Sequence, residues 1–327
     1  MLKIFSFVRN QKALNCDSLI KRHYAVSSKG KILVGGGTGF TGQRLKTFLI
    51  ENNYDVIILS RNKKNSDKTL SWDDLIEKGL PSGTIAVINT AGEPIMNPFK
   101  MWNENFKKEL WNSRINTNKF IVNAIQQTVE KPKAFIVFSG VGIYPPSSTS
   151  VYDENYHPIK EFDYFSKLVI GIEKSAKVNL DSVRSIAIRS GVILGKSGGL
   201  VKQLYPSFLF GLGSEIGSGK QYLPWIHIND ICRLVIFSIE NNTINGVLNG
   251  VAPQTITNSE FTQSFAKALN RPAFFKLPGI LFNLAYGPER ATMVLDGQNV
   301  KPKKSLEMGF KFDYDTIDKA MKQIVNE

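Results

Sequence analysis

At 327 residues, with 42% hydrophobic and 21% charged side chains, the chain can bury a sizeable core and has the composition of an ordinary globular protein. Two cysteines and three scattered histidines leave neither a disulfide framework nor a Cys/His zinc set, so no metal is expected. The net charge of +13 suits anionic ligands, but no arginine-rich helix or basic–aromatic array points to nucleic acid, and no apolar run is long enough for a membrane span.

Residues 1–28 read as a targeting segment outside the fold. Lys3, Arg9, Lys12, Lys21 and Arg22 face one acid, Asp17, and Leu2, Ile4, Phe5, Phe7 and Val8 are interleaved with the cations. That is the acid-poor, amphipathic composition of a mitochondrial presequence, and Arg22-His23-Tyr24 resembles a processing site. The expected location is the mitochondrial matrix. An untargeted tail on a cytoplasmic protein is the alternative.

Lys31-Ile32-Leu33-Val34 then runs as a strand into Gly35-Gly36-Gly37-Thr38-Gly39-Phe40-Thr41-Gly42, and a helical pattern with Leu45, Phe48 and Leu49 on one face follows. Gly37, Gly39 and Gly42 satisfy G-x-G-x-x-G between a strand and a helix, the setting that turns a common glycine pattern into a dinucleotide-binding hypothesis. Early glycines allow the tight turn, the middle one lets a pyrophosphate approach, and the last lets helix and strand pack closely. The helix start adds free N–H groups and the positive dipole end. Gly36, Gly37, Thr38, Gly39, Phe40, Thr41 and Gly42 are therefore the first candidate cofactor residues.

The next strand, Asp55–Leu59, ends at Ser60-Arg61. NAD-preferring sites place an acid about 20 residues after the loop, on the ribose 2′-hydroxyl. A serine and an arginine there suit a 2′-phosphate instead, through charge-assisted hydrogen bonds. The expected cofactor is NADP(H). The bland reading is a solvated basic loop, which Lys63 and Lys64 would continue.

Beyond this point short apolar runs alternate with helical patterns. Strands are expected at Ile85–Asn89, Ala134–Ser139 and Ser185–Arg189, and helices at Phe120–Val129, Phe162–Ala176 and Ile231–Glu240. Such alternation implies right-handed crossovers and a Rossmann-type, doubly wound parallel α/β sheet over residues 29–250. After Gly250 the text changes to a helix at Phe261–Leu269 and then Pro272, Pro278, Pro288 and Pro302. Residues 251–327 are expected to form a smaller C-terminal α/β lobe that completes a substrate cleft.

With these motifs on the page, the chain resembles the extended short-chain dehydrogenase/reductase superfamily, and within it the atypical epimerase-family proteins that end in a small domain of unknown function. The resemblance is carried by Asn89-Thr90-Ala91-Gly92-Glu93, Asn97-Pro98 with Trp102-Asn103, Ser113-Arg114, Arg189-Ser190-Gly191, Pro224-Trp225-Ile226-His227, Asn249-Gly250, Leu295-Asp296-Gly297-Gln298 and Gly309-Phe310. It implies that Ser60 and Arg61 face the adenosine phosphate, that Thr90 and Ala91 line the cofactor, and that Glu109 and Arg114 lie near it. From spacing alone, Glu109 and Arg114 could equally form a surface pair.

Members that transfer hydride use a Ser or Thr, a Tyr, and a Lys four residues after the Tyr. The lysine lowers the tyrosine pKa so that the phenol works as an acid or base. Here Asp163 stands four before Lys167, and Tyr164 stands three before it. The hydroxyl member is displaced too, because Gly140 takes its expected place and Ser139 comes one residue early. Ser139, Tyr164 and Lys167 are the catalytic candidates, with Tyr144 a further acid/base candidate. His227 reads as structural, with Asp230 as the cap of the following helix. Two functions stay open. One is an NADP(H)-dependent oxidoreductase or epimerase-like enzyme acting on a small-molecule substrate, with a homodimer compatible with it. The other is an NADPH-binding assembly or scaffold protein without turnover.

Overall fold

The protein is described here as a computed structural model, in which residues 28–61, 68–97, 99–158 and 160–327 are described. Residues 1–27, on which the expected targeting segment falls, the basic residues Lys63 and Lys64, and Pro98 lie outside the described residues.

A seven-stranded parallel sheet forms the centre. Its strands in chain order are β1 (Lys31–Gly35), β2 (Asp55–Ser60), β3 (Thr69–Ser71), β4 (Thr84–Asn89), β5 (Ala134–Gly140), β6 (Arg184–Ser190) and β7 (Gly246–Gly250). In space the order is β7-β6-β5-β4-β1-β2-β3, so the strand order reverses between β1 and β4. That reversal opens a crevice at the carboxyl ends of the strands, where doubly wound sheets bind ligands.

Eleven helices accompany the sheet among the described residues: α1 (Phe40–Glu51), α2 (Trp72–Lys78), α3 (Glu104–Gln127), α4 (Tyr164–Ser175), α5 (Gly199–Leu209), α6 (Ile228–Glu240), α7 (Asn258–Ala268), α8 (Gly279–Tyr286), α9 (Pro288–Leu295), α10 (Lys303–Glu307) and α11 (Ile317–Asn326). Alternation along each strand divides the core into two layers. Ile32 and Val34 of β1 join Leu45 and Leu49 of α1 and Leu234 and Val235 of α6 on one face. Leu33 joins Leu75 of α2, Ile121 and Ile125 of α3 and Ile172 of α4 on the other. Strands covered on both faces must be apolar throughout, which is why β1, β2 and β4 read as unbroken apolar runs.

The expected strands all form; the helices expected from Phe120, Ile231 and Phe261 begin earlier, while the one expected at Phe162–Ala176 forms slightly shorter, as Tyr164–Ser175. The helix expected at Phe120–Val129 begins sixteen residues earlier, at Glu104, where the Asn103 side chain accepts from Phe106 N at 2.9 Å. Its first turns bury Phe106 and Leu110 but expose polar residues on the other side, so the apolar signal is thin there. A capping box of Asp163 and Ser166 starts α4, and one of Thr257 and Glu260 starts α7.

A second apolar cluster lies beside the sheet. It joins Leu194, Val201, Phe208 and Trp225 to Ala252, Phe261, Phe265, Ile317 and Met321, with the Phe208 and Phe265 rings stacked at 4.4 Å. The chain between β6 and β7 thus leaves the sheet to pack with segments that follow β7.

Arg184, at the start of β6, closes the carboxyl end of α6. Its guanidinium donates to the carbonyls of Ser238, Asn241, Ile244 and Ile239 at 2.8–3.1 Å. Ser238, Ile239 and Asn241 offer end-of-helix acceptors with no intrahelical partner, and Ile244 lies in the turn beyond. Arg184→Met should lower the unfolding free energy by about 2 kcal/mol in chemical denaturation, the scale of a lost charged hydrogen-bond set. An unchanged midpoint would mean that water serves these carbonyls equally well.

Candidate functional site

The crevice is built first from the turn after β1. Gly36 has φ +74°, and a Cβ on it would sit 2.6 Å from Ala91 N. A Cβ at Gly37 would meet Ile58 at 2.3 Å, and one at Gly42 would meet the Gly36 carbonyl at 2.2 Å. Backbone packing therefore demands glycine at Gly36 and Gly42, and at Gly37 the Ile58 side chain occupies the space a Cβ would need. Gly39 differs. Its φ of −77° suits any residue, and a Cβ there would find nothing nearer than the Gly36 carbonyl at 3.4 Å. Neither conformation nor protein packing requires glycine at Gly39, and the absence of a side chain leaves its backbone open to close approach.

Gly39 also N-caps α1 without a side-chain hydrogen bond, and the first turn holds no acidic residue. The helix start therefore presents amide groups and dipole to the crevice, as an anion site does. Thr38 and Gly39 are exposed, while Phe40 and Thr41 are half-buried. The Phe40 ring leans across to the second apolar cluster: a Cβ on Gly198 would lie 2.4 Å from it, and one on Gly195 3.0 Å.

The turn after β4 forms the opposite wall. Thr90 donates from both N and Oγ1 to the Gly35 carbonyl, at 2.9 and 2.8 Å, which ties it to the glycine turn. Buried Asn89 orients this turn: its Oδ1 accepts from Ala91 N, and its Nδ2 donates to Asn118 Oδ1 at 2.7 Å. Arg114 of α3 lies behind Gly92 and donates from Nη2 to Glu93 O at 2.9 Å. Burial pulls its pKa down to about 10, so it stays cationic at neutral pH. Among the described residues no carboxylate pairs with it. Glu109 parts from Arg114 and forms an exposed ion pair with Lys100 at 3.0 Å. Ser60 ends β2, and Arg61 is exposed just beyond it.

The catalytic candidates occupy different settings. Ser139, at the end of β5, donates to Glu173 at 3.1 Å, and Glu173 is gripped by Arg189 at 2.8 and 3.0 Å. Tyr164 donates to the Lys107 carbonyl at 2.6 Å, and its ring meets Trp102 edge-on at 5.4 Å. Burial raises its pKa to about 12, with Arg114 near enough to oppose the rise. Lys167 is exposed. Tyr144 is fully buried and holds Arg189 and Asn249 at 3.1 and 2.7 Å.

Two groups that sequence reading passed over complete the surroundings. Arg290 of α9, 2% exposed, donates from Nη1 to the carbonyls of Ile95, Asn97 and Lys100, and lies over the rings of Trp102 and Tyr286. Glu289 beside it accepts from Trp102 Nε1 and Lys107 Nζ, both at 2.7 Å. Together they fasten the loop after β4 to the C-terminal segment. With 190 or so residues between the partners, no local pattern could have shown it.

His227, not Asp230, caps α6: its Nδ1 accepts from Asn229 N at 3.2 Å. Asp230 sits one turn later, buried, and accepts from Asp313 N and Tyr314 N. The segment after α10 returns to this spot, which the sequence did not indicate. His227 Nε2 donates to Gln323 Oε1 at 2.8 Å, and burial lowers the imidazole pKa to about 4.

That depressed pKa has a sign. The unfolded chain takes up the proton first, so stability falls as pH drops from about 6.5 towards 4. At pH 5 the loss due to His227 should be about 2 kcal/mol. Unfolding of His227→Gln across this range should show a shallower acid slope than the parent; equal slopes would refute the assignment.

Residues 32–249 match the NAD dependent epimerase/dehydratase family, and residues 277–324 match a domain of unknown function, DUF1731. The human epimerase family protein SDR39U1 is 43% identical over 295 residues, covering 90% of this chain and 99% of that protein. The crystal structure of its isoform 2 with NADPH aligns at a TM-score of 0.88 and 42% identity, covering 91% of this chain and 99% of that one. An Arabidopsis thaliana relative, the SDR39U1 homolog named chloroplastic, is 34% identical over 310 residues, covering 91% of this chain and 87% of that protein. The chain belongs to the NAD dependent epimerase/dehydratase family.

Proposed function

We propose that the protein binds NADP(H) across the β1–β4 crevice and acts as an epimerase-like oxidoreductase on a small molecule. The observation that carries the reading is Gly39, a glycine that the protein's own packing leaves free for a ligand. The human relative crystallised with NADPH supports it. In this reading the α1 amide groups receive the pyrophosphate and Arg61, with Ser60, receives the 2′-phosphate. Thr90 and Ala91 line the cofactor, and Arg114 fixes their turn from behind. The nicotinamide supplies hydride transfer. The second apolar cluster and α9 form the far wall of the substrate cleft. For residues 1–28 the proposal is mitochondrial import, supported by their composition; isolated mitochondria should import and shorten the chain, and failure to do so would favour the cytoplasm.

Tyr164 and Asp163 favour a second reading. A phenol pushed up to about 12 is moved away from the range a general base needs at neutral pH, and Asp163 is engaged as the α4 cap. An NADPH-binding protein without turnover would carry such a site.

Three variants separate these ideas. Gly39→Ala should lower the unfolding free energy by no more than about 1 kcal/mol, the scale of a poorer N-cap, while weakening NADPH binding at least about tenfold. A larger loss of stability would mean that Gly39 serves the fold. Arg61→Ala should cost about 1–3 kcal/mol of NADPH affinity and leave NADH unaffected; equal effects on both would remove Arg61 from the 2′-phosphate. Purified protein with NADPH, screened against carbonyl compounds and sugar nucleotides, should consume cofactor, and Tyr164→Phe should abolish this. Silence across the libraries, with NADPH binding intact, supports the non-catalytic reading.

A further inference from the structure

Several exposed apolar side chains gather where the segment after α5 meets the segment around α8. Phe210 and Leu212 follow α5, Phe274 and Phe275 open the Phe275–Leu277 strand, and Ile280 and Leu284 lie on α8. Phe274 is 86% exposed, Phe210 and Leu284 78% each. These pieces are neighbours. The Phe275–Leu277 strand pairs with Ser214–Ile216, Arg271 donates to Leu209 O at 2.8 Å, and Pro278 leads directly into α8, a helix with no buried residue and no charge. Water solvates such a surface poorly, and solitary proteins seldom keep one this continuous.

Its charge identifies the partner. Residues 197–214 contain Lys202 and no other charge, and residues 261–288 contain Lys267, Arg271 and Lys276 with no Asp or Glu. Lys267 is paired with Asp318, and Lys276 is partly offset by Glu215 at 3.6 Å. Lys202 and Arg271 have no carboxylate partner among the described residues. A second copy of the chain fits this face less well, because a two-fold contact sets the patch against itself and brings together Lys202 and Arg271, which have no carboxylate partner among the described residues to offset them. Aromatic and aliphatic side chains rimmed by cations match an anionic bilayer, where the rings enter the acyl boundary and the cations meet headgroup phosphates.

We infer that this face docks the protein peripherally on an anionic phospholipid surface. No helix among the described residues is long and apolar enough to cross a membrane, so the contact is one of attachment and not of spanning. The test uses the full-length protein with vesicles of phosphatidylcholine alone and of equal parts phosphatidylcholine and phosphatidylglycerol. The protein should sediment with the mixed vesicles, less so as salt rises. The double change Phe274→Ser with Leu284→Ser, and separately Arg271→Glu with Lys276→Glu, should each lower the bound fraction at least about tenfold at unchanged circular dichroism. Because the N-terminal segment is also basic, the effect of these variants decides the matter. Vesicle binding equal to the parent's in the charge-reversal variant overturns the inference. So does a protein that ignores vesicles and sediments as a dimer that the serine variant dissolves, for the face would then belong to a second copy.

Discussion

The contact on which the site depends is the close approach of the glycine turn to the end of β4. Gly36 lies against Thr90 and Ala91 at a distance that excludes any side chain, and Thr90 returns two hydrogen bonds to Gly35. Two strand ends are thereby held at fixed spacing where the strand order reverses. The same turn places Gly37 on Ile58 of β2 and Gly42 on the Gly36 carbonyl, so α1 can start only in one direction. Phe40, set by that start, reaches Gly195 and Gly198 and joins the turn to the second apolar cluster. One backbone approach thus positions both walls of the crevice.

The loop after β4 is secured from two sides by buried arginines. Arg114 holds its beginning from α3, and Arg290 holds its later part from α9. Both guanidinium groups donate to backbone carbonyls and neither pairs with a carboxylate among the described residues. Burial lowers the pKa of each, the cost of keeping a cation in a poorly solvated place. A loop tied in this way resists local opening, because several backbone acceptors would be abandoned at once.

A second buried network runs under the other half of the crevice. Ser139, Glu173, Arg189, Tyr144 and Asn249 form a continuous chain of hydrogen bonds across β5, α4, β6 and β7, and Asn249 passes it on to the Lys301 carbonyl. Ser139 and Tyr144, which motif position marked as chemical, are members of this network. Satisfied buried networks of this kind rigidify a core and specify one arrangement.

Local chemistry on the chain determined much of this. The unbroken apolar runs and the turn-forming glycines indicated a doubly wound sheet and its ligand end, since burial on both faces and tight turns leave marks at neighbouring positions. Family motifs placed the chain among epimerase-like proteins. Other features depend on partners far apart in sequence. Among these are the Arg290 clamp, the return of residues 313–314 to Asp230, and the separation of Glu109 from Arg114. The glycine motif already marked Gly39 as the point of pyrophosphate approach, because G-x-G-x-x-G positions carry distinct roles. What only the tertiary structure decided is which neighbours crowd the others: the backbone of Ala91 at Gly36, the backbone of the turn itself at Gly42 and the Ile58 side chain at Gly37, with none as close at Gly39.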